Sequence, residues 1–273
     1  MRHSKYHKSL VSLVRVVLLL VTYHLSLITA SAQVGEYRNS FAVGVNGGYL
    51  LSKVSFVPEV PQDYSDGLTG GLTLRYTSEK YFNSICALTA EVNYSQMGWK
   101  ESILTINDEP VINRATGLAE AYRRKITYIQ VPLLARLGWG RERKGLQAFI
   151  QLGPQLGFYL DESTEANFDL DYPEIYERAS HISGPTVGDA VFSNMYHMPI
   201  ENKFDYGITG GAGIEFSHPK IGHILLEGRY YFGLANIYGN TKKDFFAKSN
   251  HNTIIIKMSY LFDVFKTKNP KIK

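Results

Sequence analysis

Eight charged residues alternate with apolar neighbours along this chain, and their types suit acid–base or ion-pair chemistry. Four are basic and four are acidic, namely Arg75, Arg136, Arg229, Lys257, Glu91, Asp205, Glu215 and Glu227. Such groups can form buried ion pairs, and they can also act as a proton relay or as a catalytic acid and base. The equal numbers favour a compensated network, because a charge in a narrow interior must be paired whether or not it performs chemistry.

The remaining reactive residue types show no spacing that indicates a catalytic or metal site. Five histidines lack metal-ligand spacing such as H-x-x-x-H and are predicted to lie on the surface: His181, His197, His218, His223 and His251. The single cysteine, Cys86, excludes a disulfide framework and a Cys-based zinc site, and is predicted to be a buried or lipid-facing thiol. We therefore predict no catalytic residue, no metal and no cofactor.

A glycine-rich stretch at 207–213 reads GITGGAG. It matches neither G-x-G-x-x-G nor G-x-x-x-x-G-K-[ST], and no helical pattern follows it. Glycine within a strand permits bending and close packing, so we interpret this stretch as part of a curved strand and not as a phosphate-binding loop.

The elements that position the charged residues are segments that alternate with period two. Eight segments of nine or more residues show this pattern, at about 41–51, 68–76, 85–98, 124–138, 146–160, 205–216, 223–235 and 253–262. This periodicity predicts strands with two different faces. A tilted strand that crosses a bilayer needs about nine to eleven residues, and all eight segments reach that length.

One face of each predicted strand is uncharged and the other carries the charges. Leu133 and Ile256, for example, belong to the uncharged rows, whereas Glu91 and Lys257 belong to the polar rows. A soluble sandwich would alternate in the same way, with its apolar row inward. Aromatic residues near the strand ends of the apolar row favour the membrane alternative, because amphipathic rings suit the headgroup layer.

The connections between the segments also favour a membrane barrel. They run 16, 8, 25, 7, 44, 6 and 17 residues, so long and short connections alternate without exception. In an up-and-down barrel this order places all long loops at one end. We therefore predict an all-β fold, a closed eight-stranded antiparallel up-and-down transmembrane β-barrel with both termini in the periplasm. Side chains just fill the interior of eight strands, which argues against a diffusion pore.

The first 32 residues have the three parts of a secretory signal peptide: a basic start, an apolar stretch and the triplet Ala30-Ser31-Ala32. The remaining chain carries 25 basic and 25 acidic residues, a balance that argues against a nucleic-acid partner. The predicted organisation is a signal peptide at 1–32, an outer membrane barrel at 33–262 and a basic periplasmic tail at 263–273.

Two loop features suggest surface contacts. The 161–204 connection is rich in acids and could bind calcium, a cationic partner or a protein surface, although a solvated loop is the simpler interpretation because calcium-loop spacing is lacking. The preceding long loop ends in Arg123, Arg124 and Lys125, which we predict to lie beside lipopolysaccharide phosphates at the outer rim. The predicted partners are thus outer membrane lipid, lipopolysaccharide and a possible protein at the outer loops.

Four groups of short motifs resemble the PorT family, a group often called outer membrane protein beta-barrel domain or porin family proteins. They are YIQVPLL at 128–134, QLGPQLG at 151–157, FDYG at 204–207 with GAGIE at 211–215, and RYYFGL at 229–234 with Asn236. The resemblance covers about 41–262. It implies an eight-stranded barrel and, for one branch of the family, a part in type IX secretion.

The sequence thus predicts a non-enzymatic outer membrane barrel with a packed polar lumen, for which a type IX secretion-associated or surface-binding role is the expectation. One alternative is a barrel enzyme at the outer rim, for which His197, His251 and the loop acids are the candidates. Another alternative is a small channel, which the four-against-four compensation of charge argues against.

Overall fold

The computed structural model has nine strands in the part of the chain that it describes. It describes residues 39–81, 84–105, 107–113, 116–141, 144–168, 196, 198–239 and 246–266. The strands are β1 (Ser40–Val57), β2 (Gln62–Asp63), β3 (Ser65–Tyr81), β4 (Ser84–Ser102), β5 (Ala121–Gly140), β6 (Gly145–Ala166), β7 (Phe204–His218), β8 (Gly222–Gly233) and β9 (Lys248–Lys266). The predicted signal peptide, His181, His197, most of the 161–204 connection and residues 267–273 lie outside the described residues.

The eight long strands form a closed antiparallel ring. Around the ring the order is β4-β3-β1-β9-β8-β7-β6-β5, and pairing between β4 and β5 completes the circle. The two-residue strand β2 lies outside this ring and pairs with the far end of β4. Full closure pairs the backbone groups that an open sheet would expose to lipid, which is the condition for strands to cross a bilayer. The predicted fold class is confirmed.

The two faces of the strands point as the sequence predicts. Large apolar side chains cover the outer surface, among them Val45, Leu72, Leu88, Leu133, Ile150, Ile214, Leu226 and Met258. Charged and amide side chains of the opposite parity are buried in the interior. A surface this apolar is suited to hydrocarbon and not to water.

Several strands are longer than predicted. At the end of the barrel where β4 and β6 finish, the strands project beyond the apolar outer rows: β4 continues to Ser102, β5 begins at Ala121 and β6 continues to Ala166. The outward side chains here are polar, as at Lys100 and Lys125. At the opposite end β9 continues to Lys266, so the strand extends past 262 into the predicted tail.

Long and short connections lie at opposite ends of the barrel. The long-loop end carries the connections 58–64, 103–120, 167–203 and 234–247, and the short-turn end carries 82–83, 141–144 and 219–221. Gly140 and Gly145 flank one short turn and Gly222 ends another, with φ angles of 130°, 123° and 99°, a region that favours glycine. Among the described residues, no helix is both long and apolar enough to cross a membrane.

The glycine-rich stretch lies in β7, as predicted. A Cβ atom added to Gly211 would lie 2.3 Å from the backbone oxygen of Gly228, and one added to Gly213 would lie 2.4 Å from that of Leu226. Glycine therefore permits the close approach of β7 and β8 at these two positions.

Candidate functional site

The interior near the short-turn end contains a first ion-pair cluster around Glu215. Arg75 donates to Glu215 over 2.8 Å, and Arg136 donates to the same carboxylate oxygen. The guanidinium of Arg136 also lies 3.7 Å from the centroid of the Phe149 ring. One carboxylate thus joins β7 to β3 and β5 across the lumen, and both arginines are held by strands distant in sequence.

A second cluster lies further along the lumen and joins four charges. Arg229 donates to both oxygens of Glu91, at 2.9 and 2.7 Å, and to Glu227 at 2.6 Å. Lys257 pairs with Glu91, and Gln151 donates to Glu227 over 2.5 Å. Two cations and two anions therefore compensate each other in a bidentate arrangement, the strong form of such pairs.

The structure brings seven of the eight predicted network residues into these two clusters, whereas Asp205 lies apart from them. The carboxylate of Asp205 accepts a hydrogen bond from the Tyr231 hydroxyl over 2.7 Å. Beside it, the hydroxyl of Tyr128 lies 3.3 Å from Nε2 of His251, and this histidine is fully buried. The prediction that His251 lies on the surface is therefore wrong, because its side chain follows the inward parity of β9.

At the short-turn end, three side chains that the sequence analysis did not combine lie in contact. The hydroxyl of Ser217 lies 2.9 Å from Nδ1 of His223, and Nε2 of His223 lies 3.0 Å from Asp263. Glu215 lies 2.7 Å from the same Nδ1. His223 is mostly buried, so its predicted surface position is also wrong. The signal that could have found this group is parity, since Ser217 and His223 continue the inward rows of Glu215 and Glu227.

The arrangement of this serine, histidine and aspartate differs from that of a nucleophilic triad. Both ring nitrogens of His223 face a carboxylate, Nδ1 that of Glu215 and Nε2 that of Asp263, whereas a triad histidine leaves one nitrogen to the serine alone. Ser217 is fully buried, and its hydroxyl donates to Glu215 over 3.0 Å. The arrangement is an ion-pair link between β7, β8 and β9.

The interior near the long-loop end has a different composition. Here five aromatic rings form a group that we call the aromatic cap: Phe56, Trp99, Tyr122, Tyr238 and Phe246. Phe56 and Phe246 have ring centroids 4.5 Å apart, and Trp99 meets Phe56 edge to face at 5.3 Å. Aliphatic side chains such as Val54 and Ile126 complete this buried core. The prediction of a polar lumen therefore holds for only part of the interior.

A buried arginine ties the aromatic cap to the barrel wall. Arg124 donates to Glu162 over 2.6 and 2.8 Å and to the Tyr238 hydroxyl over 3.1 Å, with the Trp99 ring 5.9 Å away. The predicted position of Arg124 at the outer rim is wrong, because alternation along β5 turns Arg123 and Lys125 outward and Arg124 inward.

Glu101 lies buried beside the same group and accepts a hydrogen bond from Nε1 of Trp99 over 2.8 Å. It belongs to the part of β4 that projects beyond the apolar outer rows. Burial raises the pKa of this carboxyl to about 7, although the Trp99 hydrogen bond and Arg124 oppose the shift.

Two further observations bear on chemistry. Among the described residues, no group of three or more His, Cys, Asp or Glu side chains is placed to hold a metal ion. Cys86 is a partly buried free thiol in β4.

The family of the chain follows from its sequence profile. Residues 31–239 match the family described as outer membrane protein beta-barrel domain. The chain belongs to this family, and the closed ring with its apolar outer surface agrees with that assignment. The protein is an outer membrane β-barrel protein. No curated protein matches the chain.

Several solved structures are similar to the chain at low identity. Neisserial surface protein A is 8% identical over 82% of this chain and 97% of its own, with a TM-score of 0.37. The outer membrane enzyme PagL is 11% identical over 80% and 98%, with a TM-score of 0.32. OprG from Pseudomonas aeruginosa is 14% identical over 83% and 94%, with a TM-score of 0.32.

Proposed function

We propose that the protein is a non-catalytic, closed outer membrane barrel that presents its long-loop end to a partner outside the cell. The observation that carries this proposal is the filled interior, with ion-pair clusters around Glu215 and Glu91 and the aromatic cap beyond them. A lumen closed by two different kinds of packing suits a scaffold for loops and not a passage for solutes.

The proposed orientation places the long loops outside and both termini in the periplasm. An even number of long strands returns both chain ends to one side, and the N-terminal signal peptide pattern supports export. Arg123 and Lys125 then point outward beyond the apolar rows, where they can approach lipopolysaccharide phosphates. Asp66 lies 2.7 Å from Arg123 and Glu165 lies 3.9 Å from Lys125, so Lys125 is the less tightly paired of the two cations.

Conductance in planar bilayers tests the closed lumen. The purified mature chain should give no steady single-channel current, with an open porin in the same bilayers as the positive control. A reproducible current through the wild-type chain would contradict the proposal and favour the small channel.

A partner assay tests the role of the long-loop end. Mild crosslinking of intact cells, followed by purification of the barrel, should recover a defined protein that contacts residues of the long loops. Recovery of lipid alone at these loops would contradict a protein partner.

The motifs at 128–134 and 229–234 favour one specific candidate, a PorT-like part in type IX secretion. Deletion of the gene should then cause cargo proteins of this pathway to accumulate in the periplasm, and re-expression should restore their release. Normal secretion in the deletion strain would leave a surface-binding barrel as the better assignment.

A further inference from the structure

The short-turn end carries exposed cations that lie outside the two ion-pair clusters around Glu215 and Glu91. They are Arg141 and Lys144 in one turn, Lys220 in another, and Lys266 at the end of β9. Lys266 lies 2.8 Å from Asp263, and that carboxylate is largely buried and already shared with His223. Among the described residues of this end, the exposed charge is therefore predominantly positive.

The long-loop end is different, because its exposed cations are mixed with acids such as Glu59, Asp63 and Asp161. Among the described residues, the exposed charges at the two ends of the barrel therefore differ: they are predominantly positive at the short-turn end and of both signs at the long-loop end.

Each cation is within two residues in the sequence of an exposed apolar side chain. Arg141 follows Trp139 by two residues, Lys144 precedes Leu146 by two, and Lys220 and Lys266 are adjacent to Ile221 and Phe265. These four apolar side chains are 42%, 59%, 50% and 60% exposed. The positive charges therefore lie where the hydrocarbon-facing surface ends, which is the depth of lipid headgroups.

We propose that the short-turn end binds the phosphate headgroups of anionic phospholipids through these cations. They belong to two separate turns and to the end of β9, so they are spread over the neighbouring strands β5 to β9 of the ring and do not form one patch. A lipid leaflet can follow this spread along the edge of the apolar surface. Continuity with the apolar surface also favours lipid over a soluble polyanion.

The two tryptophans of the chain make this proposal measurable. Trp139 lies on the outer surface beside Arg141, whereas Trp99 is buried in the aromatic cap at the other end. Lipids with brominated acyl chains quench only tryptophans that they contact. We would fold the mature chain into vesicles of phosphatidylcholine with a minority of phosphatidylglycerol, and place the bromine on one lipid or the other.

Brominated phosphatidylglycerol should quench Trp139 about twofold more than the mole fraction of this lipid in the vesicle predicts, because cations enrich anionic lipid around them. In the variant with Gln in place of Arg141, Lys144, Lys220 and Lys266, quenching should fall to the value that the mole fraction of phosphatidylglycerol predicts. The matched control replaces Lys53, Lys100, Lys203 and Lys248 by Gln at the long-loop end, and should keep the enrichment. About 1 M salt should abolish the enrichment in the wild-type chain, which provides a test that needs no variant.

Three outcomes would overturn the proposal. The first is quenching in the wild-type chain at low salt that only matches the mole fraction of phosphatidylglycerol. The second is enrichment of phosphatidylglycerol that survives both salt and the four Gln replacements. The third is an equal loss of this enrichment in the control variant. Protection of the same cations by soluble polyphosphate without any lipid enrichment would assign the surface to a soluble polyanion instead.

Discussion

The two halves of the barrel interior have opposite polarity, and so do their surroundings. In the half that the apolar outer rows surround, the interior is polar and holds Glu91, Glu215 and their cationic partners. In the half that projects beyond these rows, the outer side chains include Lys100 and Arg123, and the interior holds the aromatic cap.

The strands keep their parity across this boundary while the residue types exchange faces. Along β4, Glu91, Asn93 and Ser95 point inward, and Met97 and Trp99 continue the same inward row. The polar half behaves as a membrane barrel and the projecting half behaves as a soluble protein with an apolar core. The same strand thus has its apolar side chains outward in one half and inward in the other, and we expect the bilayer to end where the residue types change.

The largest expected effect is in the polar half. Replacing Arg229 by Met leaves the carboxylates of Glu91 and Glu227 without their shared cation, so the free energy of unfolding should fall by about 3–5 kcal/mol. Urea unfolding in detergent, followed by tryptophan fluorescence, measures this change. Adding Glu227→Gln to the Arg229→Met variant should recover part of the loss. No recovery would mean that water already solvates the polar half.

A charge added to the outer surface should destabilise the two halves to different extents. Replacing Leu133 by Arg places a charge in hydrocarbon and should cost about 2–4 kcal/mol in bilayer unfolding experiments. The matched change in the projecting half is Leu118→Arg, at an exposed loop position outside the strands, and it should be close to neutral. Similar costs at the two positions would argue against the placement of the boundary.

Strand faces could be predicted from the sequence because alternation is local. The rows that contain Leu133 and Glu91 are correctly assigned, since each residue needs only its own neighbours to define its parity. The strand ends at the long-loop side were harder to predict. There the outer row becomes polar while Trp99 and Tyr122 continue inward, so a search for an apolar outer row stops too early.

The ion-pair partners could not be predicted from the sequence. Arg75 meets Glu215 although 140 residues separate them, because the stagger of the closed ring decides which inward residues lie at one level. The same stagger separates Asp205 from the clusters and brings it to Tyr231. Equal numbers of opposite charges predict compensation, but they do not predict which residues pair.

The projecting half should give stability a specific pH dependence. Below pH about 4.5, Glu101 is protonated in the folded and unfolded chains alike, so it does not make the free energy of unfolding depend on pH. Between pH about 4.5 and 7 the unfolded chain releases this proton while the folded chain keeps it, so the free energy of unfolding should fall as pH rises, by on the order of 1–3 kcal/mol. The loss should level off above pH 7.

Replacing Glu101 by Gln should remove this contribution, because the amide does not titrate. Unfolding curves of both chains across pH 4 to 8 provide the comparison. An equal slope in the two chains would show that Glu101 is hydrated in the folded protein and that the apolar core is not continuous beside Trp99.

The smallest expected effect distinguishes ring packing from polar contacts within the aromatic cap. Replacing Tyr238 by Phe keeps the stacked contact with Phe246 and removes the hydroxyl that accepts from Arg124, so the cost should be about 0.5–1.5 kcal/mol. Tyr238→Ala removes the ring as well and should cost about 3–5 kcal/mol. Urea unfolding of the two variants, with Tyr94→Phe on the outer surface as the control, measures both effects. If the Phe variant lost as much as the Ala variant, the cap would depend on its polar link to Arg124, and the projecting half would resemble the polar half more than a soluble core.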